Sequence, residues 1–376
     1  MPLVNKEKPQ SRQVAYLLHG TEGEQREPAN VGYFHRADRL REEAEARGWK
    51  SVVKYDRRDP ADRSAIRRML RSSWLLEAFK DCRCVYTAGA TTAAMAAWAM
   101  RNSHTPVLYD IHTPPVGEKW LQFRLAKSLR NFVVYLEACL TESVAIKRSD
   151  YILWSSLVQR EYYMRRGFRH DRLREVRHGV DIGRFNSGPV PNSRPRLLVY
   201  AGTMVPYQGA DKLVEAFAAM PKGDLRLRMI GFTDKEKGLR DMADRAGIET
   251  MPQIPQSDVA DAMKDAHCTT IIAHRDNKKY KNGAAPTKWP ESLALGRPIL
   301  SMDVYDTALM IPQLKVGWVV ENSVEGLVFG MSSLRDCSIE ELQAMGQRAR
   351  EEASRNYAWP VIGDKFSNII EEAARK

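Results

Sequence analysis

A chain of 376 residues with 43% hydrophobic content is too long for one ordinary domain and too short for three, so two domains around one cleft are expected. No run approaches the roughly 18 apolar residues of a spanning helix, and the start, MPLVNKEKPQ, carries charge where a signal peptide is apolar; a membrane span is excluded and a cytoplasmic protein is expected. The net charge of +11 is uneven, with 34 Lys and Arg against 22 Asp and Glu in residues 1–195 and 24 against 25 in residues 196–376, which points to an anionic partner for the first half alone.

Short runs rich in Val, Ile, Leu and Tyr alternate with helix-period segments, the pattern of parallel sheets built from βαβ units. In the first half the strands are expected at 13–18, 51–55, 84–88, 106–111 and 151–154. A helix from Tyr33 to Arg47, ending at Gly48, puts Phe34, Ala37, Leu40 and Ala44 on one face. Cys82 and Cys84 lie in the apolar run CRCVYTAG and read as buried thiols. Five cysteines without regular spacing fit a reducing compartment.

The segment SGPVPNSRP over 187–195 reads as a linker, with three prolines and a glycine between two patterned regions. The expected organisation is a first domain over 1–187, a linker over 188–195 and a second domain over 196–357, with a last helix from about 358 packing back on the first domain. In the second domain strands are expected at 196–201, 226–230, 268–273 and 298–302. Ligands of two such doubly wound sheets bind beyond the carboxyl ends of the strands.

The second domain opens with a strand that runs into AGTMVPYQG and then the amphipathic segment ADKLVEAFAAM. Gly202 and Gly209 frame a loop that lets backbone approach a ligand closely, with Thr203 and Gln208 beside them, although a turn that only reverses direction has the same appearance. About 70 residues on come His274, Arg275 and Asp276, then NGAAPTKWPE. Thr287 stands where an N-cap belongs, Pro290 falls in the first turn, and Gly296 ends the helix. Lys288 adds a full charge to the positive end of that helix, and Arg275 follows the preceding strand. Two cations and a helix start together describe a diphosphate site, bounded by Asn282, Gly283, Pro286 and Thr287. Glu291, one turn further in, can accept two hydroxyl hydrogen bonds from a ribose.

With these motifs in view, the chain resembles the large family-four retaining glycosyltransferases. The resemblance rests on VRHGVDIGRFN (176–186), YAGTMVPYQGADKLVEAF (200–217) and HRDNKKYKNGAAPTKWPESLALGRPIL (274–300), with GWVVENSVEGL (317–327) and NYAWP (356–360) in support. It implies a GT-B enzyme of α/β class, two doubly wound Rossmann-like domains facing a cleft. It also implies retention at the anomeric carbon, a nucleotide diphosphate sugar as donor held mainly by the second domain, and no tightly bound cofactor or metal; no Asp-x-Asp pair of the metal-holding kind is present. The first half matches in broad layout only, through YDIH (109–112) and RSDYILWSS (148–156). The resemblance gives His112 the role of hydrogen-bonding the transferred sugar and places Lys288 and Arg275 on the leaving diphosphate. Two departures stand out. Thr203 and Gln208 occupy places that are basic in many relatives, and Gly283 stands where a first glutamate precedes Glu291 by eight positions.

The acceptor side falls to the first domain. The loop from His19 to Gly32 follows the first strand without the spacing of a dinucleotide fingerprint, and it is assigned, with Gly32 and the nearby His35, to acceptor access or sugar binding. Segment 119–134 combines Arg124, Lys127 and Arg130 with Trp120 and Phe123, and REYYMRRGFRH (160–170) mixes arginines with aromatics. Such surfaces fit a peripheral enzyme on the inner face of an anionic membrane, meeting a lipid-linked acceptor in polysaccharide or glycolipid assembly. Two other readings stay open: a glycosyltransferase of modified nucleic-acid bases, and a binding or scaffold protein that keeps the fold without turnover.

Overall fold

The computed structural model describes residues 12–20, 31–56, 64–111, 115–204, 208–221, 223–274, 285–304 and 306–375, except for the side chains of 31–34, 118, 121, 125 and 126. The chain divides into two compact units. The first runs to Arg177 and takes in the end of the chain from Ile362; the second comprises His178–Lys281 and Ala285–Val361.

The first unit is a six-stranded parallel sheet. Its strands are β1 (Gln13–His19), β2 (Lys50–Asp56), β3 (Cys84–Ala88), β4 (Val107–Asp110), β5 (Tyr151–Trp154) and β6 (Leu173–Glu175), in the order β2-β1-β3-β4-β5-β6. Central strands of such a sheet are covered on both faces, so they are apolar throughout and not alternating. Val14–Leu18 of β1 and all of Cys84–Ala88 are buried, whereas the edge strand β2 is half-buried along most of its length. Cys82 and Cys84 are buried and free. The covering helices are α1 (Val31–Glu45), α2 (Ala65–Leu70), α3 (Trp74–Ala78), α4 (Ala90–Ala99), α5 (Pro115–Ala126), α6 (Leu129–Arg148) and α7 (Leu157–Arg165). Helix α1 begins and ends two residues earlier than its pattern suggests, and Ala37, Leu40 and Ala44 are its buried face.

The second unit repeats the plan with β7 (Arg196–Ala201), β8 (Leu225–Phe232), β9 (Glu249–Pro252), β10 (Cys268–Ile271), β11 (Ile299–Met302) and β12 (Gly317–Val320), again all parallel, in the order β12-β11-β10-β7-β8-β9. Its helices are α8 (Ala210–Ala219), α9 (Lys237–Arg245), α10 (Val259–Met263), α11 (Lys288–Ala294), α12 (Thr307–Leu314), α13 (Val324–Asp336) and α14 (Ile339–Asn356). The last helix, α15 (Trp359–Ala374), packs Phe366 edge-on against Tyr86 and pairs Asp364 with Arg47 and Glu372 with Arg174 and Tyr151 of the first unit's sheet and helices.

Strands β6, β9 and β12 were not expected from the pattern. All three are sheet edges, three or four residues long and only partly buried; LRE and ETMP hold no apolar run, and the apolar GWVV of β12 is too short to stand out as a strand. Two distant motifs meet in space. Val180 of VRHGVD bridges to Ala358 of NYAWP, and a β-carbon on Gly179 would lie 2.5 Å from the Trp359 indole, so only glycine fits there. No described helix is long and apolar enough to cross a membrane.

Candidate functional site

Numbered within its own unit, the second sheet has the order 3-2-1-4-5-6, which reverses between β7 and β10. Connections leave a parallel sheet toward opposite faces at such a point, and a crevice opens beyond the strand ends. Gly202 at the end of β7, Gly209 at the start of α8, and His274 after β10 all gather there.

Lys288 is the centre of this arrangement. Its side chain crosses Gly202 so closely that a β-carbon there would stand 2.5 Å from both Cε and Nζ. The ammonium sits 4.2 Å from the centroid of the Tyr200 ring and donates to Tyr200 Oη at 3.2 Å. That hydroxyl in turn donates to the carbonyl of Thr203 at 3.0 Å. A strand-end tyrosine and the glycine two residues on therefore form a seat for one cation. Burial pushes the Lys288 pKa down to about 8, against the pull of the Glu291 charge. An ammonium held in so poor a solvent gains strongly from an arriving anion.

Glu291 follows one helical turn later. Burial pushes its carboxyl up to about 7, while the Gln256 hydrogen bond and the charges of Lys288 and Arg184 act the other way. Gln256 Nε2 donates to Oε1 at 2.8 Å, and among the described residues Oε2 is left to accept from a ligand.

The other loops at the crevice hold one another. Gly209 adopts the left-handed conformation (φ 78°), and a β-carbon on it would press within 3.3 Å of the Ala273 backbone. Asp211 in the first turn of α8 meets His274 Nε2 at 3.1 Å. Lys212 donates to Asn322, whose Nδ2 donates to the Ala273 carbonyl at 2.6 Å. His274 and Lys212 are thus committed to positioning the loops.

One expectation is corrected. Thr287 occupies the N-cap position of α11 with helical backbone angles, and its hydroxyl makes no capping bond. Preceding Pro286 is bound through its carbonyl to Trp289 N, and α11 is seven residues long, so the positive charge at this end comes mainly from Lys288. Gly296 ends the helix with φ 65°, as its sequence suggests. Thr203 is exposed and Gln208 half-buried at the two ends of the loop. Arg275, Asn282, Gly283 and His112 lie outside the described residues.

In the first unit, Gly32 and His35 lie in the opening turns of α1, Arg124 is exposed near the end of α5, and Lys127 occupies the turn after it with φ 45°. Gly32 and His35 thus share α1, while Arg124 and Lys127 lie at the end of α5 and just beyond it. Sequence reasoning missed a buried one nearby. Arg36 makes a bidentate pair with Asp110 at 2.8 and 3.0 Å, Asp110 also accepts from Tyr86 Oη at 2.6 Å, and Arg36 reaches the carbonyls of Val176 and Arg177. The network ties α1 to the end of β4, two residues before His112. A second pair, His19 Nδ1 to Asp56 at 3.1 Å with Arg68 on the same carboxylate, closes the ends of β1 and β2. Tyr200 and Gln256 were missed as well: the former reads as a core strand residue, and the latter sits in an unpatterned loop. Among the described residues no group of three His, Cys, Asp or Glu could hold a metal ion.

The family described as glycosyl transferases group 1 matches residues 184–352. No curated protein sequence matches the chain. Among solved structures, sucrose-phosphate synthase from Thermosynechococcus elongatus superposes with a TM-score of 0.70 at 15% identity, covering 96% of this chain and 98% of that one. WaaG, a glycosyltransferase involved in lipopolysaccharide biosynthesis, gives 0.66 at 18% identity, covering 95% and 99%. Anabaena Alr3699/HepE, solved in complex with UDP and glucose, gives 0.66 at 12% identity with the same coverage. At these identities the likeness is one of fold, the two-sheet GT-B architecture.

Proposed function

We propose that this protein, which has the GT-B fold and matches the glycosyl transferases group 1 family over residues 184–352, is a glycosyltransferase whose second unit binds a nucleoside diphosphate sugar at the crevice beyond β7 and β10. The observation that carries this reading is the seated ammonium of Lys288 beside Gly202, one turn from a carboxylate with an oxygen to spare. The cation meets the diphosphate, and Glu291 accepts from the ribose hydroxyls. Arg275 supplies a second positive charge, and Asn282, Gly283, Pro286 and Thr287 border the phosphates and sugar.

Transfer proceeds with retention at the anomeric carbon. As the bond from sugar to phosphate breaks, positive charge grows on the ring and negative charge on the leaving diphosphate, and charges already fixed in place stabilise the latter without reorganising. His112 holds the transferred sugar. Uridine is the first base to try, because a structure of similar fold was solved with UDP and glucose. The acceptor is a lipid-linked or membrane-proximal glycan on an anionic membrane, in agreement with the basic first half of the chain.

A panel of nucleotide sugars tests the donor assignment. Uridine diphosphate sugars should raise the melting temperature by mass action and be hydrolysed slowly, and both effects should vanish together in Lys288→Ala. Absence of binding and of hydrolysis across the whole panel would return the protein to the scaffold reading.

A further inference from the structure

Helix α6 is twenty residues long and leaves one line of large apolar side chains in water. Leu129, Phe132, Val133, Leu136 and Leu140 are between 37 and 79% exposed. Their spacing of three, one, three and four puts them on a single face. At about 1.5 Å per residue the stripe is about 16 Å long. A soluble helix normally turns such a stripe to its own core. Here the core-facing side is already supplied by Thr141, Glu142, Ala145 and Ile146, which are buried.

The flanks of the stripe are basic. Helix α5 packs along one side, with Trp120 on Tyr135 at 5.1 Å and Phe123 on Phe132 at 5.2 Å, and it brings the exposed Arg124 and the turn residue Lys127. On the other side Glu137 receives Ser64 Oγ and the amide of Ala65, which fixes the start of α2 beside α6. Helix α2 and the start of α3 then present Arg67, Leu70 and Trp74, all exposed. Arg130 stands at the head of α6 and Lys147 at its foot, both exposed. The two acidic residues of α6 are occupied inward, Glu137 by α2 and Glu142 by Arg166 and Tyr163.

In the second basic, aromatic cluster at 160–170, three of the four arginines are paired with carboxylates, and Arg160 lies on His170 and Trp154. Tyr163 is buried, Arg166 is paired with Glu142, Arg165 with Glu161 and Arg169 with Asp171.

We propose that the face formed by α6 with α2 and the end of α5 is the surface that lies in an anionic lipid bilayer, the leucine stripe entering the acyl boundary and the surrounding arginines and lysines meeting headgroup phosphates. The inference rests on the membrane reading given above and names the surface that serves it. A second copy of the chain fits this face poorly. Parallel or antiparallel pairing of α6 would set basic ends against basic ends, and no carboxylate of α6 is turned outward to relieve them. An anionic surface satisfies both parts at once.

The test is co-sedimentation of the full chain with vesicles of phosphatidylglycerol and phosphatidylcholine in equal parts, against vesicles of phosphatidylcholine alone. Wild-type protein should bind the anionic vesicles at low salt and be released by added salt. Leu136→Glu with Leu140→Glu should weaken binding more than about tenfold, and Arg67→Gln with Arg130→Gln should cost about fivefold for each charge removed. Both variants should keep the melting shift given by nucleotide sugar, which reports an intact second unit. A leucine double variant that sediments like wild type, while wild type binds, overturns the assignment of this face and leaves the membrane reading standing. Wild type that ignores anionic vesicles overturns the membrane reading itself. A dimer in solution that the leucine variant converts to monomer gives the face to a second copy instead.

Discussion

Replacing Lys288 by methionine should strengthen the empty protein at neutral pH while disabling the reaction. Burial lowers this ammonium's pKa from 10.5 to about 8, which corresponds to a cost to the folded state of about 3 kcal/mol. The sign follows from the protonation states. Below pH 8 the lysine is charged both folded and unfolded, and the whole cost is present. Between about 8 and 10.5 the folded state releases its proton first, so the cost fades as pH rises. Methionine keeps an apolar stem over Tyr200 but gives up the ring contact and the bond to its hydroxyl, each about 1 kcal/mol. The net effect is a gain of about 1 kcal/mol at pH 7 and a loss of about 1 kcal/mol above pH 10, where the amine is neutral and only the bond to the hydroxyl remains to be lost.

Urea unfolding at the two pH values measures this, followed through the transition that responds to nucleotide because the chain has two units. Hydrolysis or transfer by the same variant should drop about a hundredfold to a thousandfold. A variant less stable than wild type at both pH values, or one with wild-type turnover, would refute the idea that the fold holds a charge in poor solvent for the sake of an anion.

The pH dependence of kcat/KM for the donor should be bell-shaped with its maximum between about 7 and 8, because Glu291 must lose a proton near 7 to accept from a ribose and Lys288 loses its own near 8; a flat profile from pH 6 to 9 counts against both roles. Gly202→Ala places a methyl 2.5 Å from the Lys288 ammonium and should displace it, lowering donor affinity by about tenfold or more with the fold retained; calorimetry with nucleoside diphosphate decides. Arg36→Met leaves Asp110 buried without its bidentate partner and should destabilise the first unit by about 3 to 5 kcal/mol. Nucleotide binding by the second unit should persist in that variant, and a loss of under 1 kcal/mol in denaturant would show that Asp110 finds solvent or another donor.

Much of this protein is local, and the local part is legible in the chain. The central strands of both sheets announce themselves as unbroken apolar runs because parallel strands are covered on both faces. Gly296 marks a helix end because a left-handed residue is needed there. Lys288 and Glu291 are visible as a pair because three residues is one helical turn. The uneven charge is also a property of sequence alone.

What tertiary structure decided is which of several equivalent residues meets which partner. Tyr200 looks like any core tyrosine until Gly202 allows Lys288 to cross the strand end and rest on its ring. Gln256 has no pattern at all, and its role exists only because the loop after β9 reaches Glu291. Two arginine-rich, aromatic segments read alike in sequence, yet one is consumed by Glu142, Glu161 and Asp171, and the other borders a leucine stripe left in water. Charge and hydrophobicity are carried by residue type, which the chain states outright. Whether a charge is neutralised and whether an apolar face is covered depend on neighbours distant in sequence, and folding alone brings those together.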